Sequence, residues 1–387
     1  MITASPRWMS VYRLFSQKCN CQIRKTSASA ILVFHNDVRR DLENFLQLST
    51  WHAPQSSQDY DVLLLKRPLN STFGGRLVFP GGALAKGDFM RDVWSSLPSL
   101  TRTYSFPPPV YQELERDLIR GGKDKDFRPH VALRLCAIRE IFEETGLLLV
   151  ADTNSGNGSQ VKGLLLSPTD TRSWRSRLAD NPSLLATLYK AVGYHPPISS
   201  LYEWSNWLTP SNAARRFDTM FYFVAIDSVV SEAPGLGPVK PSSCEVTSLF
   251  ANPPLSFLPT SIKHFAVPQV YELGRLSHFD KLSQLSTFAR QRSVLGCRRW
   301  CPEILRLPKG TGHCDVLLLP GDQRYDEIKN SSSWKSLTFD DIAGDTIRNR
   351  LFLSPDVSDL WIDSNFYECG HVPPMNKSEY LSACSVN

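Results

Sequence analysis

The stretch that decides the fold reads Arg139-Glu140-Ile141-Phe142-Glu143-Glu144-Thr145-Gly146-Leu147. It places three glutamates within five residues, and on a helix, which turns about 100° per residue, the three share one face. An apolar stripe recurs at helical spacing on nearly the opposite side and consists of Val131, Leu135, Ile138 and Phe142. Gly146 stands where a helix end favours glycine, in the left-handed position. The stretch therefore predicts a helix that buries one face and presents negative charge on the other.

The crowding of these carboxylates points to a possible ligand. An acidic run commonly marks a solvated helix face, but like charges one turn apart destabilise an isolated helix by a few tenths of a kcal/mol per pair. Arg139, one turn before Glu143, offsets part of that repulsion. A cation that prefers hard oxygen ligands, such as Mg²⁺, would remove the rest. The cluster alone therefore leaves a solvated face and a metal site as the two interpretations.

The order of the residues resembles the second half of the Nudix box, Arg-Glu-(aliphatic)-X-Glu-Glu-X-Gly-(aliphatic), at every position. The first half of the box resembles Gly82-Ala83-Leu84-Ala85-Lys86-Gly87-Asp88, with Asp88 where the family has glutamate. A long insertion, residues 89–128, separates the two halves. This arrangement resembles the peroxisomal and mitochondrial Nudix hydrolases that cleave coenzyme A and its acyl esters.

Further strings resemble the same branch and extend the likeness over most of the chain from Ala28. They are residues 75–82 (Gly-Arg-Leu-Val-Phe-Pro-Gly-Gly), 207–210, 215–219, 268–272 and 319–322. The resemblance implies an α/β Nudix fold, in which a mixed sheet lies between helices, enlarged by the insertion and by a C-terminal extension. We expect a basic N-terminal segment at 1–27, a Nudix domain at 28–292 and the extension at 293–387. Apolar periodicity predicts helical regions at 169–192 and 268–292.

The resemblance also implies a set of site residues. Mg²⁺, or Mn²⁺, would bind to Glu140, Glu143 and Glu144, together with a backbone carbonyl of Gly81 or Gly82. Cations are required there because the anionic oxygens of a diphosphate repel a nucleophile. Arg139 would orient one of the glutamates. Glu245, in a later polar stretch, is the candidate for a further carboxylate that serves as metal ligand or general base.

Substrate contacts are expected from arginines, because the planar guanidinium fork matches phosphate oxygens. The candidates are Arg67, Arg76, Arg215 and Arg216, which flank the strings that resemble the coenzyme A branch. Trp204 and Trp207 are interpreted as core residues rather than as aromatic side chains that stack on an adenine ring. The expected activity is cleavage of coenzyme A or acyl-coenzyme A to adenosine 3′,5′-bisphosphate and (acyl-)phosphopantetheine. The alternatives are a diphosphatase for ADP-ribose, a dinucleotide or an RNA cap, and a binding module without turnover.

Composition narrows the remaining possibilities. The chain has 387 residues, a net charge of +5 and nine cysteines, an odd number that argues against a secreted disulfide scaffold. The net charge is far smaller than that of a typical nucleic-acid-binding protein. No apolar run approaches the ~18 residues that a membrane span requires. The sequence leaves the oligomeric state open. The first 36 residues are basic and contain no acid before Asp37, which favours a mitochondrial presequence over a disordered basic arm. Peroxisomal and cytoplasmic locations are the alternatives.

Overall fold

The computed structural model describes residues 24–46, 49–50, 58–69, 74–97, 100, 129–152, 160–211, 213, 215–233, 237–238, 249–252, 265–310, 312–330, 337–353, 360–367 and 370–375. Glu245, most of the insertion and the first 23 residues lie outside this part of the chain.

The strands, in chain order, are β1 (Arg24–His35), β2 (Ser49–Thr50), β3 (Tyr60–Lys66), β4 (Leu77–Val78), β5 (Gly81–Ala83), β6 (Leu147–Val150), β7 (Lys162–Leu165), β8 (Tyr202–Leu208), β9 (Arg216–Ile226), β10 (Ser228–Val230), β11 (Glu232–Ala233), β12 (Gly237–Pro238), β13 (Leu249–Asn252), β14 (Arg299–Trp300), β15 (Glu303–Lys309), β16 (Gly312–Leu318), β17 (Asn349–Leu353) and β18 (Leu360–Ser364).

The α-helices are α1 (Asn36–Leu46), α2 (Arg91–Trp94), α3 (Pro129–Thr145), α4 (Pro168–Asp180), α5 (Leu185–Val192), α6 (Val267–Leu276), α7 (Leu282–Ser293), α8 (Tyr325–Asn330) and α9 (Phe339–Ala343). Short 3₁₀ turns cover Lys86–Phe89, Pro182–Leu184 and Ile198–Ser200.

A mixed sheet forms the centre of the molecule. Its strands run in the order β14-β8-β9-β1-β3-β13-β2, with β4 attached to β3 and β5 attached to β1. β1 is parallel to β9 along nearly its whole length and antiparallel to β3 and β5. Three smaller sheets, β10-β7-β6, β11-β12 and β15-β16-β17-β18, complete the described strands. The predicted α/β class is therefore confirmed.

Side chains on β1 show why the sheet needs helices on both faces. Residues at alternating positions, such as Leu32 and Phe34, enter a core that includes α3. Their neighbours Ile31 and Val33 enter a second core that includes α6 and α7. Successive side chains of a strand point to opposite faces, so a strand that is apolar throughout must be covered on both sides. This confirms the expected sheet between helices.

The box helix, α3, follows the predicted pattern at its end but is more deeply buried than a single stripe predicts. Val131, Leu135, Ile138 and Phe142 are buried as expected. Leu133, Ala137 and Ile141, which lie off that stripe, are also fully buried. The reason is that α3 contacts β1 and β5 on one side and β6 and α4 on others. The helix is therefore enclosed except along its glutamate face.

Both long helical regions of the sequence are broken in the structure. Region 169–192 divides into α4 and α5 because the Asn181 side chain accepts a hydrogen bond from the Ser183 N–H and starts a separate turn at Pro182. Region 268–292 divides into α6 and α7, where the Leu282 N–H donates to the Asp59 carboxylate at 2.7 Å. Asn181 is a local acceptor that competes with the next helical bond, whereas Asp59 reaches Leu282 from a distant part of the chain.

The C-terminal strands β15 to β18 form an antiparallel sheet with two buried faces. One face packs against α8 and α9 through Leu318 and Ile328. On the other face, Leu317 and Leu351 join the same core as Tyr271 of α6. The extension therefore shares a core with the central sheet. Among the described residues, no helix is both long and apolar enough to cross a membrane.

Candidate functional site

The glycine turn and the glutamate face meet directly. β5 pairs with β1 so that Gly81 lies opposite Ser29 and Gly82 opposite Ala28. A Cβ atom on Gly82 would overlap the carboxyl group of Glu140, so a larger residue here would displace that side chain from its present position. The Gly81 N–H donates to Glu144 Oε2 at 2.9 Å. The glycine turn at the start of the first half of the box thus bonds to Glu144 and lies against Glu140.

Arg139 joins the same two halves through its side chain. It is buried, and its Nε and Nη2 donate to the Asp88 carboxylate at 2.8 and 2.9 Å. Its Nη1 donates to Glu140 at 2.7 Å and to Glu143 at 3.1 Å. Burial disfavours the charged guanidinium, but the bonds to Asp88 outweigh it and raise the pKa of Arg139. The arginine therefore stays charged and holds two glutamates.

The shorter carboxylate at position 88 reaches Arg139 because the backbone lies close to the box helix. Asp88 is fully buried, and it also accepts a hydrogen bond of 2.8 Å from the Ala85 N–H. The Trp94 indole N–H donates to the Gly87 carbonyl at 2.9 Å and so helps to fix the 3₁₀ turn Lys86–Phe89. Aspartate thus fills the place of the family's glutamate across the insertion.

The carboxylates of the site carry more negative charge than their surroundings neutralise. Burial raises the pKa of Glu144 to about 7, and the Glu140 charge adds to that effect. Burial also raises the pKa of Glu140, although the Arg139 charge opposes it. The Arg67 guanidinium lies 3.7 Å from Glu144 and is the opposing cation there. A further positive charge at this face would stabilise the ionised carboxylates.

The donor chemistry of this face fits a divalent cation. Glu140, Glu143 and Glu144 offer hard carboxylate oxygens, and the glycine turn adds backbone carbonyls. In the part of the chain that the structure describes, no three acidic, histidine or cysteine side chains already converge as ligands of one ion. Arg139 bonds to Glu140 and Glu143, and the Gly81 N–H bonds to Glu144, so all three candidate ligands have hydrogen-bond partners within the protein.

The four candidate arginines are divided by the structure. Arg67 is the one that lies beside a box glutamate. Arg76 donates instead to the Phe265 carbonyl at 3.1 Å, and burial lowers its pKa. Arg216 donates to the Thr209 carbonyl at 3.0 Å, and Arg215 is exposed at the start of β9. Within the described residues, Arg76, Arg215 and Arg216 make no hydrogen bond or ion pair with the glutamate face.

The two tryptophans are core residues, as predicted. Trp204 and Trp207 are buried in the second hydrophobic core, and each indole N–H donates to the Glu272 carboxylate at 2.7 Å. Glu272 is itself paired with Arg275 at 2.8 Å. Their polar edges are thus satisfied inside the protein.

One contact to the box helix was missed by the sequence analysis. The Nε of Arg175, on α4, donates to the backbone carbonyl of Glu143 at 2.6 Å. Arg175 lies in the predicted helical region 169–192, but no motif connects that region with the box. Any residue at position 143 offers the same main-chain carbonyl, so the sequence at that position could not predict this contact.

Comparisons with known proteins find a matching family model and several relatives. The family model of the NUDT19 Nudix domain matches residues 26–276. The chain is 32% identical to "Acyl-coenzyme A diphosphatase NUDT19" of Gallus gallus over 74% of this chain and 78% of the relative. The namesakes of Xenopus laevis and Homo sapiens are each 34% identical, over 70% of this chain and 73% and 74% of their own lengths.

A solved structure, the NUDIX hydrolase of Alicyclobacillus acidocaldarius, matches at 19% identity with a TM-score of 0.43. It covers 68% of this chain and 96% of that one. This similarity is low, and the family assignment rests on the sequence matches.

Proposed function

Because the chain belongs to the Nudix hydrolase family, in the group of the NUDT19 Nudix domain, we propose that it hydrolyses the diphosphate of coenzyme A and acyl-coenzyme A. The products would be adenosine 3′,5′-bisphosphate and (acyl-)phosphopantetheine. One observation carries the proposal: Glu140, Glu143 and Glu144 form one face that is assembled against Gly81 and Gly82 across the insertion. Three relatives are named acyl-coenzyme A diphosphatase, which supports the substrate class.

We assign different roles to the residues of the glutamate face and to those that hold it. Glu140, Glu143 and Glu144 would hold the divalent ion, Mg²⁺ or Mn²⁺, which when bound neutralises charge on the diphosphate oxygens. Arg139 keeps Glu140 and Glu143 within reach of each other and is itself fixed by Asp88. Burial raises the pKa of Glu144 to about 7, so its carboxyl group is partly protonated near neutral pH in the metal-free protein. Metal binding would therefore release protons.

Two other functions compete with this proposal. Another nucleoside diphosphate derivative, such as ADP-ribose, would use the same glutamates with a different substrate pocket. A binding module without turnover would have no need for the complete set of three glutamates, each of which is present and in contact with the rest of the site. The second alternative is therefore the weaker one.

A direct assay tests the proposal. The purified protein would be given an acyl-coenzyme A or ADP-ribose, each with Mg²⁺ or with EDTA, and the adenosine products would be measured. We expect adenosine 3′,5′-bisphosphate from the coenzyme A ester with Mg²⁺, and little product with EDTA. Hydrolysis of ADP-ribose at a similar or higher kcat/KM would favour the general diphosphatase. The Glu144→Gln variant serves as the inactive control.

Arg67 makes the substrate prediction more specific. Coenzyme A carries a 3′-phosphate, which adds about two negative charges near neutral pH. Arg67 is the candidate arginine beside the glutamate face, so we propose that it contacts a substrate phosphate. A charge-assisted contact of ~1.5–3 kcal/mol corresponds to roughly 10- to 150-fold in kcat/KM. If it binds the 3′-phosphate, 3′-dephospho-coenzyme A should be poorer by that factor, and Arg67→Met should remove most of the difference.

Two other outcomes identify other roles for these arginines. Equal kcat/KM for the two substrates in the wild-type protein would contradict recognition of the 3′-phosphate. If wild type discriminates and Arg67→Met still does, the contact comes from another cation, and Arg215→Met, at an exposed arginine, is the next variant to compare.

We further propose a mitochondrial location. Its support is the basic composition of the N-terminal segment, which contains no acid before Asp37. Residues 1–36 fused to a fluorescent reporter should direct it to mitochondria. A reporter that stays in the cytosol would contradict this, and localisation of the full-length protein to peroxisomes would support the alternative.

A further inference from the structure

Arg175 contacts the box helix from outside every motif of the sequence. Its Nε donates a hydrogen bond of 2.6 Å to the main-chain oxygen of Glu143, and the side chain is partly buried. The contact therefore falls on the helical turn that carries two of the three glutamates of the site.

That turn is the last one of the helix, where backbone carbonyls lack partners within the helix. The Gly146 N–H donates to the Phe142 carbonyl at 2.8 Å, which closes the helix end. The Thr145 hydroxyl donates to the Ile141 carbonyl at 2.6 Å. The Glu143 carbonyl receives its hydrogen bond from Arg175, on a different helix. Glu143 is thus held by a group that the box itself does not supply.

Charge gives a second reason for an arginine at this point. The C-terminal end of a helix carries a partial negative charge, which disfavours carboxylates and favours cations. Glu143 and Glu144 lie in that end, and the last turn of α3 contains no basic residue of its own. Arg139 and Arg67 oppose the carboxylates of Glu143 and Glu144, and Arg175, from α4, adds a cation at the main-chain end of the helix.

α4 is well fixed, so its arginine has a defined position. Thr171 and Leu178 are buried, and Trp174 packs against the first hydrophobic core. The hydroxyl of Ser167 caps the start of the helix by accepting from the Asp170 N–H. The guanidinium of Arg177 stacks on Trp174 at 3.9 Å. Arg175 is therefore presented to the box helix by a rigid element.

We propose that Arg175 is a positioning residue for the metal site. By bonding to the Glu143 carbonyl, it holds the last turn of the box helix so that the carboxylates of Glu143 and Glu144 are placed for a divalent cation. It acts through that turn rather than on the substrate. The inference rests on the proposed function only in assuming that these glutamates bind the cation.

The affinity for the cation tests this without turnover. Binding of Mn²⁺ or Mg²⁺ to the metal-free, full-length protein would be measured by calorimetry in the absence of substrate. Loss of a group that orients metal ligands typically weakens binding or activity about 10- to 100-fold, which we expect for Arg175→Met. Arg175→Lys keeps a donor and a charge and should recover part of the affinity. Arg172→Met, at an exposed arginine of the same helix, is the matched control and should equal wild type.

Steady-state kinetics give the second readout. At a metal concentration near the wild-type Kd, Arg175→Met should lower kcat and leave the KM for the coenzyme A ester nearly unchanged, and excess metal should restore part of kcat. The melting temperature of each variant shows how much of a change is loss of fold. If Arg175→Met does not fold, the Lys variant carries the comparison.

Each remaining outcome has one meaning. Wild-type metal affinity in Arg175→Met, with only a lower melting temperature, would make Arg175 a helix cap and overturn the inference. The expected metal-binding pattern without hydrolysis of a coenzyme A ester would leave the inference standing and refute the proposed function. A wild-type protein that binds no divalent cation would refute both.

Discussion

Arg139 in the box helix and Arg350 in β17 are both buried, and each holds an aspartate with two hydrogen bonds. Arg139 bonds to Asp88 at 2.8 and 2.9 Å. Arg350 bonds to Asp322 at 2.7 Å through each of two nitrogens. Such two-point pairs combine charge with a fixed geometry. The two regions are therefore alike in having a buried arginine that forms two hydrogen bonds to one aspartate.

The balance of charge around the two pairs is different. In the C-terminal sheet, Asp345 completes a group in which Arg350 and Arg324 share two buried aspartates. Arg324, which is 24% exposed, also pairs with Glu327, so two arginines face three carboxylates. Arg350, Asp322 and Asp345, at the centre of the group, are enclosed.

At the box helix, by contrast, Arg139 alone contacts Asp88, Glu140 and Glu143, which leaves an excess of negative charge. Glu140 and Glu143 are 14% and 19% exposed, so they are accessible from outside. The comparison teaches that an enclosed, nearly balanced group supports the fold, whereas an accessible group with a larger excess of negative charge is suited to binding a cation.

The largest expected effect is on stability, in the enclosed group around Arg350. Arg350→Met leaves two buried aspartates with one arginine, and breaking a buried ion pair costs about 3–5 kcal/mol. We expect a loss of that size in the free energy of unfolding, measured by urea denaturation, while kcat of the protein that remains folded is unchanged. Arg348→Met is the control, because its pair with Asp363 is about one-third exposed on each side and should contribute less than about 1 kcal/mol. Equal losses in the two variants would contradict the distinction.

In the glutamate face, by contrast, we expect a substitution to lower activity rather than stability. Glu144→Gln keeps the shape and an acceptor for the Gly81 N–H but removes a charge from the metal site. We expect kcat to fall roughly 10²- to 10³-fold, or ~3–4 kcal/mol, while the metal-free protein remains at least as stable as wild type. Initial rates at saturating Mg²⁺ and melting in EDTA measure the two quantities. Glu143→Gln should behave alike, whereas near-wild-type rates in either variant would refute the metal assignment.

A smaller effect should appear in the pH dependence of stability. Burial raises the pKa of Glu144 from the ordinary 4.5 to about 7, so between these values the folded state binds more protons than the unfolded state. Stability of the metal-free protein should therefore fall as pH rises from about 4.5 to about 7. Urea denaturation in EDTA at several pH values should show this slope in wild type and a weaker one in Glu144→Gln. Identical slopes would show that Glu144 is not the responsible group.

Much of the box could be predicted from local sequence. The helix covers Pro129–Thr145, with the glutamates on one face and Gly146 at a φ of 77° just past its end. Period and end signals act over a few residues, so they are visible in the sequence. The full burial of α3 was not visible, because it depends on elements that pack from several sides.

Contacts between distant residues explain what the sequence could not decide about the site. Asp88 and Arg139 are separated by 51 positions, and Arg175 and Glu143 by 32. The four arginines were equivalent candidates until the fold brought Arg67, and not the others, next to a box glutamate. Glu245 stays a prediction, because it lies outside the described residues.

The sequence by itself determined the kinds of residues at the site, the face of the helix that carries them and the family to which they point. These follow from side-chain chemistry and from the rotation per residue of a helix, which are local properties. Only the tertiary structure decided that Asp88 would reach Arg139 and that Arg175 would bond to the box helix. Both depend on how closely two backbones approach, and that distance is set by the packing of the whole core around them.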